Sequence, residues 1–181
     1  MKYGFLAVAS ALALAACGGS ADSVDADADG DGEITSEEQT AAFNKSAEQI
    51  KPQPGKYKIT MEFVSAEGMP EEMQAIMGKG MNQSIERCQT PEEAEKGFGQ
   101  PPEGEDERCK MEKYTLSGGD LEMAMQCKNK NGDVEMETNA AGKVTPTSQD
   151  LTITTKGDAG PLGDAAVTMK VKQERIGDCD E

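Results

Sequence analysis

Between Lys56 and Phe63 the residues alternate in kind: Tyr57, Ile59, Met61 and Phe63 are apolar, while Lys56, Lys58, Thr60 and Glu62 are polar. Successive side chains of a strand point to opposite faces, so this period of two predicts a strand with one face buried. The pattern returns in Leu121, Met123, Met125 and Cys127, in Val134 and Met136, in Leu151 and Ile153, and in Val167, Met169 and Val171. Turn-forming residues separate these runs at Ser117-Gly118-Gly119, Asn129-Lys130-Asn131-Gly132, Ala140-Ala141-Gly142 and Gly157-Asp158-Ala159-Gly160. The expected fold is therefore mainly β, an antiparallel meander forming a curved sheet or a small barrel. Two short helical insertions are expected early in it, over 70–77 and 90–95, the second with Thr90 as cap and Pro91 in the first helical position.

The residues ahead of this pattern are of other kinds. Residues 36–50 are helix formers with Phe43, Ala47 and Ile50 along one face, and Lys51-Pro52-Gln53-Pro54-Gly55 stops the helix, because proline lacks an amide hydrogen. Residues 18–31 are mostly Gly, Ser, Ala and Asp, a composition expected to form a flexible tether. At the start, Lys2 precedes an apolar run over 5–16 that is shorter than the ~20 residues needed to cross a bilayer, as in an export signal. The run ends in Leu14-Ala15-Ala16-Cys17, which resembles the lipobox of Gram-negative lipoproteins. That resemblance implies cleavage before Cys17, lipidation of its thiol, and a periplasmic protein whose membrane partner is reached through the lipid anchor. With Gly18 rather than Asp after the cysteine, it further implies the outer membrane. The expected organisation is a signal peptide over 1–16, an acidic tether with a loop and an exiting helix over 17–51, and a β domain over 52–181.

Export makes the remaining cysteines, Cys88, Cys109, Cys127 and Cys179, candidates for two disulfides. Such staples suit a chain in which aromatics are only 4% of residues and the core is correspondingly thin. Three pairings are possible. The expectation is Cys88 with Cys109, closing the Gly/Pro/acid loop locally, and Cys127 with Cys179, tying a strand to the tail. There is no histidine and no Cys-x-x-C pair, so the parts of a zinc site and of Cys-His catalysis are missing. With 34 acidic residues against 18 basic ones, nucleic acid is excluded as a plausible partner.

Residues 27–38 read Asp27-Ala28-Asp29-Gly30-Asp31-Gly32-Glu33-Ile34-Thr35-Ser36-Glu37-Glu38. The spacing is that of the twelve-residue EF-hand calcium loop. Asp27, Asp29 and Asp31 hold positions 1, 3 and 5, Gly32 makes the turn at 6, and Glu33 offers its carbonyl at 7. Thr35 at 9 acts through water, and Glu38 at 12 closes the site with both oxygens. The plain alternative is an acidic, solubilising stretch in which Thr35 and Glu38 form only a helix capping box. No helical pattern precedes Asp27 and no second loop follows, so this is half a hand, expected to bind calcium weakly.

Gln53-Pro54-Gly55-Lys56-Tyr57, Cys88-Gln89-Thr90-Pro91-Glu92-Glu93-Ala94, Cys109, Cys127 and Arg175-Ile176-Gly177-Asp178-Cys179 together resemble a family of small exported Gram-negative domains of unknown function, domain-of-unknown-function family thirty-six-seventeen. The resemblance covers about 52–181 and implies export and the cysteine framework, but no activity. With no histidine and no nucleophile in a known motif, an enzyme is not expected, although chemistry by carboxylates alone stays open. A binding or envelope-structural role is the leading expectation. The alternative is a carrier or scavenger of an apolar ligand or of a soft metal such as Cu(I), through a Met-rich face. Its sharpest sign is Met69, Met73, Met77 and Met81, spaced every four residues, although Gly78 and Gly80 are expected to interrupt that helix.

Overall fold

A computed structural model describes residues 23–97, 109–128, 135–158 and 164–179. Eight strands and three helices follow in the order β1 (Ser23–Asp25), α1 (Ser36–Gln49), β2 (Gly55–Glu67), α2 (Glu71–Met81), β3 (Gln83–Gln89), α3 (Pro91–Glu95), β4 (Cys109–Ser117), β5 (Asp120–Lys128), β6 (Glu135–Thr145), β7 (Ser148–Asp158) and β8 (Asp164–Gly177). All strand pairs are antiparallel, in one curved sheet of order β1-β4-β5-β6-β7-β8-β2-β3. The sheet stays open, which decides between the two expected forms: β1 and β3 are edges and do not meet.

Register places the alternating apolar residues on a common face. Leu151 lies opposite Val171 and Ile153 opposite Met169, and these in turn face Met61 and Phe63. Across β6 the same row continues through Ala140 to Met123 and Tyr114. The other face carries Lys113 with Glu122, Lys143 with Asp120, and Thr154 with Thr168. The β1–β4 end of the apolar face is covered by α1, whose Phe43 meets Tyr114 edge to face with ring centroids 5.1 Å apart. Phe43 and Ala42 join Val24, Ala26, Met111, Tyr114, Leu116, Leu121 and Val144 in one buried cluster.

Val24 and Ala26 lie in the acidic stretch expected to be a flexible tether. Instead, Ser23, Val24 and Asp25 pair with Ser117, Leu116 and Thr115 as β1. The physical reason is the alternation of two apolar residues with Ser23, Asp25 and Asp27, which lets this short piece bury both apolar side chains beneath α1. Elements on both sides of residue 52 thus share one core, and Pro52 itself is fully buried.

The tight β4–β5 turn is as expected, with Gly118 and Gly119 at φ 57° and 86°, the two positive values that a type I′ hairpin requires. Ala140-Ala141-Gly142 is not a turn: it runs through the middle of β6, and the chain reverses later, between Thr145 and Ser148. Gly142 is needed there because a Cβ would sit 2.0 Å from the Asp150 carbonyl oxygen on β7. Likewise Gly78 and Gly80 do not break α2, which continues to Met81. A Cβ on Gly78 would lie 3.2 Å from the Phe63 ring, so the glycine lets α2 rest close on β2. The turn expected at 129–132, the loop over 98–107, residue 134 and Cys17 lie outside the described residues.

Both disulfides form, but neither has the expected pairing. Cys109 bonds Cys127, and Cys88 bonds Cys179. Cys109 and Cys127 are directly opposite each other in the β4–β5 hairpin. Lys56 on β2 lies between Cys88 on β3 and Gly177 on β8, so the tail of β8 ends beside Cys88. Closing loops of 18 and 91 residues should contribute roughly 3 and 4.5 kcal/mol by the chain-entropy model.

Candidate functional site

The loop between β1 and α1 is wound by its own carboxylates. Asp27 accepts the amides of Gly30 and Gly32 at 2.9 and 3.2 Å, Asp29 accepts that of Asp31 at 3.1 Å, and Asp31 accepts that of Glu33 at 2.8 Å. Gly30 and Gly32 have φ of 76° and 86°, a conformation in which other residues would be strained. Short acidic side chains that bond amides two to five residues on are what turn the chain here.

Thr35 ends the loop and caps α1. Its hydroxyl accepts the Glu38 amide at 3.2 Å, while its own amide and hydroxyl donate to Glu38 Oε2 at 2.9 and 2.8 Å. This is a full capping box, and it holds the Glu38 carboxylate back over the loop. There Asp27, Asp29 and Glu38 each present an oxygen within 4.8 Å of the others. Bonding to the Thr35 amide, then to its hydroxyl, and to a lesser extent to the amides of Ala28 and Asp29, keeps the Glu38 carboxyl below its usual 4.5. Three carboxylates at that spacing suit a hard cation that takes oxygen ligands.

Of the residues expected to form a calcium site, the structure brings Asp27, Asp29 and Glu38 together. Asp31, which accepts the Glu33 amide, is not in that set. The Glu33 side chain points away and lies 3.8 Å from Lys110 on β4, so of this residue only the backbone carbonyl is a candidate ligand. Thr35 serves by locating Glu38. Ile34 packs on the buried cluster, as does Ile50 at the far end of α1, so the loop and its helix rest on the sheet at both ends. Lys45 adds a bond from its ammonium to the Ser23 carbonyl, 3.0 Å. The sequence pattern did not single out Lys45 or the amides of Ala28 and Asp29, since nothing local marks a lysine that reaches 22 residues back or an amide that faces a carboxylate.

Three of the four methionines expected to form a stripe share one helix, and Met69 lies just ahead of it. Met73 and Met77 are on α2, where no residue is buried and Ile76 is exposed, with Met81 at its end. A second set, Met61, Met123, Met125, Met136 and Met169, shares the apolar face of the sheet with Met111. Met111 is buried under α1, whereas Met136 at the other end is 39% exposed.

Residues 52–179 match the family of proteins of unknown function DUF3617. No curated protein and no solved structure matches the chain. The matched region starts just after α1, runs through β2 to β8, and takes in all four disulfide cysteines, so over most of its length the chain belongs to the DUF3617 family.

Proposed function

We propose that this is an exported lipoprotein, anchored by Cys17 to the periplasmic face of the outer membrane, in which a calcium loop governs how α1 is seated on a binding or envelope-structural β domain without catalytic activity. The observation that carries the calcium part is the convergence of Asp27, Asp29 and Glu38 within 4.8 Å at positions 1, 3 and 12 of the loop. Glu33 supplies a carbonyl, and Asp31 a further carboxylate once it turns toward the other three. Without a cation, the carboxylates repel one another. A bound cation relieves that repulsion and holds Glu38 in place, and Glu38 is the residue that completes the cap of α1. Calcium thereby steadies the helix that covers one end of the apolar face.

A half-hand without a paired loop belongs with weak extracellular sites, with dissociation constants on the order of 10⁻⁴ to 10⁻³ M. Calorimetry on the full-length chain tests this. Heat of calcium binding in that range, with affinity weakened in Glu38→Gln far more than in Glu37→Gln, is expected, and no heat at millimolar calcium sinks the proposal. Magnesium competes poorly, since it prefers a tighter octahedron and keeps its waters. For the anchor, Cys17→Ala is expected to leave the outer-membrane fraction, and its retention there would refute lipidation at Cys17.

A second reading, as carrier of an apolar ligand or of Cu(I), is favoured by Met61, Met136 and Met169, which share the apolar face of the sheet outside the cluster buried under α1. Thioethers are soft ligands and flexible apolar surface at once. Native mass spectrometry of protein taken from the periplasm distinguishes bound lipid, copper and calcium by mass.

A further inference from the structure

The two edges of the sheet are treated differently. At β1 the edge is three residues long, and Lys45 covers it with a bond to the Ser23 carbonyl. At β3 the edge is seven residues long and, among the described residues, is paired only to β2. In an antiparallel pair every second residue turns its amide and carbonyl away from the partner strand, so the outer side of β3 presents a row of backbone donors and acceptors. Side chains from Gln83 to Cys88 are exposed on both faces, and the apolar Ile85 is 46% exposed. An open strand of this length, carrying an exposed isoleucine next to its central residue, is a template for a further strand.

We propose that the added strand is β3 of a second copy of this chain, antiparallel, on a two-fold axis through Ile85. A two-fold axis perpendicular to the sheet keeps each residue on its own face, so the axis must pass through a residue pair. Only axes at Ile85, Glu86 or Arg87 let five or more residues of the two strands overlap. An axis at Glu86 sets Glu86 against Glu86, and one at Arg87 sets Arg87 against Arg87; like charges directly opposite are unfavourable. With the axis at Ile85, the two isoleucines meet, Gln83 faces Arg87 and Ser84 faces Glu86. That register buries the exposed apolar side chain and opposes no like charges. The strand bears one acid and one base, so the repulsion that opposes the pairing comes from the rest of a chain of net charge −16. Those charges are screened beyond about 8 Å at physiological ionic strength. A contact of one strand is small beside the ~1,600 Å² of a stable interface, so the dimer is weak, reversible and strengthened by salt. The proposal does not depend on calcium or on the lipid.

Site-directed disulfide formation tests both the partner and the register. In the full-length chain with Cys17→Ser, Ile85→Cys is expected to give a covalent homodimer on mild oxidation, and Arg87→Cys several-fold less. Sedimentation equilibrium of the chain without an added cysteine should show a monomer–dimer equilibrium that salt shifts toward dimer and that Ile85→Lys abolishes. Equal cross-linking of the two cysteine variants, none in either, or capture of a different protein in cells would overturn the proposal. So would a monomer at all concentrations, or a dimer that survives Ile85→Lys. If Ile85→Lys fails to fold, as circular dichroism would show, the cysteine pair decides alone.

Discussion

Two helices in this protein begin with the same device. Thr35-Ser36-Glu37-Glu38 caps α1 and Thr90-Pro91-Glu92-Glu93 caps α3, and the paired bonds match: 2.9 Å from the threonine amide to the glutamate and 3.2 Å from the glutamate amide to the threonine hydroxyl in both. What differs is the chain before the cap. The strand β3 runs into Thr90 directly, so among the described residues the Glu93 side chain bonds only within its cap. Ahead of Thr35 the chain makes two glycine turns that bring Asp27 and Asp29 against Glu38. The same four-residue motif is therefore a plain helix start in one place and the closing side of a cation site in the other. A capping box says where a helix begins, and the residues before it decide whether its glutamate has a second use.

The two helices also differ in what they bury, and the largest expected effect tests that. Phe43 is buried against Tyr114, so Phe43→Ala should cost about 3 to 5 kcal/mol. α3 buries only Ala94, and Ala94→Gly should cost about 1 kcal/mol. Urea denaturation of the two variants measures both, and similar losses would mean that α1 is not the anchored helix. Next in size is the effect on the cation site. Glu38→Gln should weaken calcium binding by on the order of tenfold or more, because position 12 supplies two ligand oxygens, while Glu93→Gln should leave it unchanged. Calorimetry decides, and equal effects would erase the distinction between the two boxes.

Removing the caps should then show what the boxes have in common. Thr35→Ala and Thr90→Ala should each cost about 1 kcal/mol of stability without calcium, since each leaves one helix amide without its acceptor. Only Thr35→Ala should lower calcium affinity as well. The smallest effect concerns pH. Glu38 has its carboxyl pKa lowered in the folded chain, first by the Thr35 amide, so its contribution to α1 is complete above the usual 4.5 and is lost as pH falls through the lowered value. Amide exchange at the start of α1 should be steady from pH 7 to about 5 and lose protection only below that. Loss of protection near neutral pH would point to a group other than Glu38.

Most of the architecture was legible because period-two alternation is a local property. Tyr57, Met61, Leu121, Leu151 and Val171 each lie where the alternation puts them, and both capping boxes start helices at the expected residues. Glycine was less informative. Gly118-Gly119 makes a turn and Gly142 does not, although both stand among small residues, because a glycine is needed equally where φ is positive and where a neighbouring backbone comes too close for a Cβ. The site was legible to the extent that its ligands are close in sequence. The spacing of Asp27, Asp29 and Glu38 was readable, whereas the position of Asp31 outside that set was not.

By itself, then, the sequence determined what each segment does locally: which residues of a strand share a face, where helices start, and which carboxylates can meet within twelve residues. Strand order was decided only in the tertiary structure, because alternation says which face is buried and nothing about which strand lies alongside. From that order came the disulfides: Cys109 meets Cys127 because β4 and β5 are neighbours, and Cys88 meets Cys179 because β2 lies between β3 and β8. From it came β1 too, whose three residues are too few to announce a strand and become one only because β4 and α1 enclose Val24 and Ala26. The open edge at β3 has the same origin, since whether a strand is central or outermost depends on where all the others go.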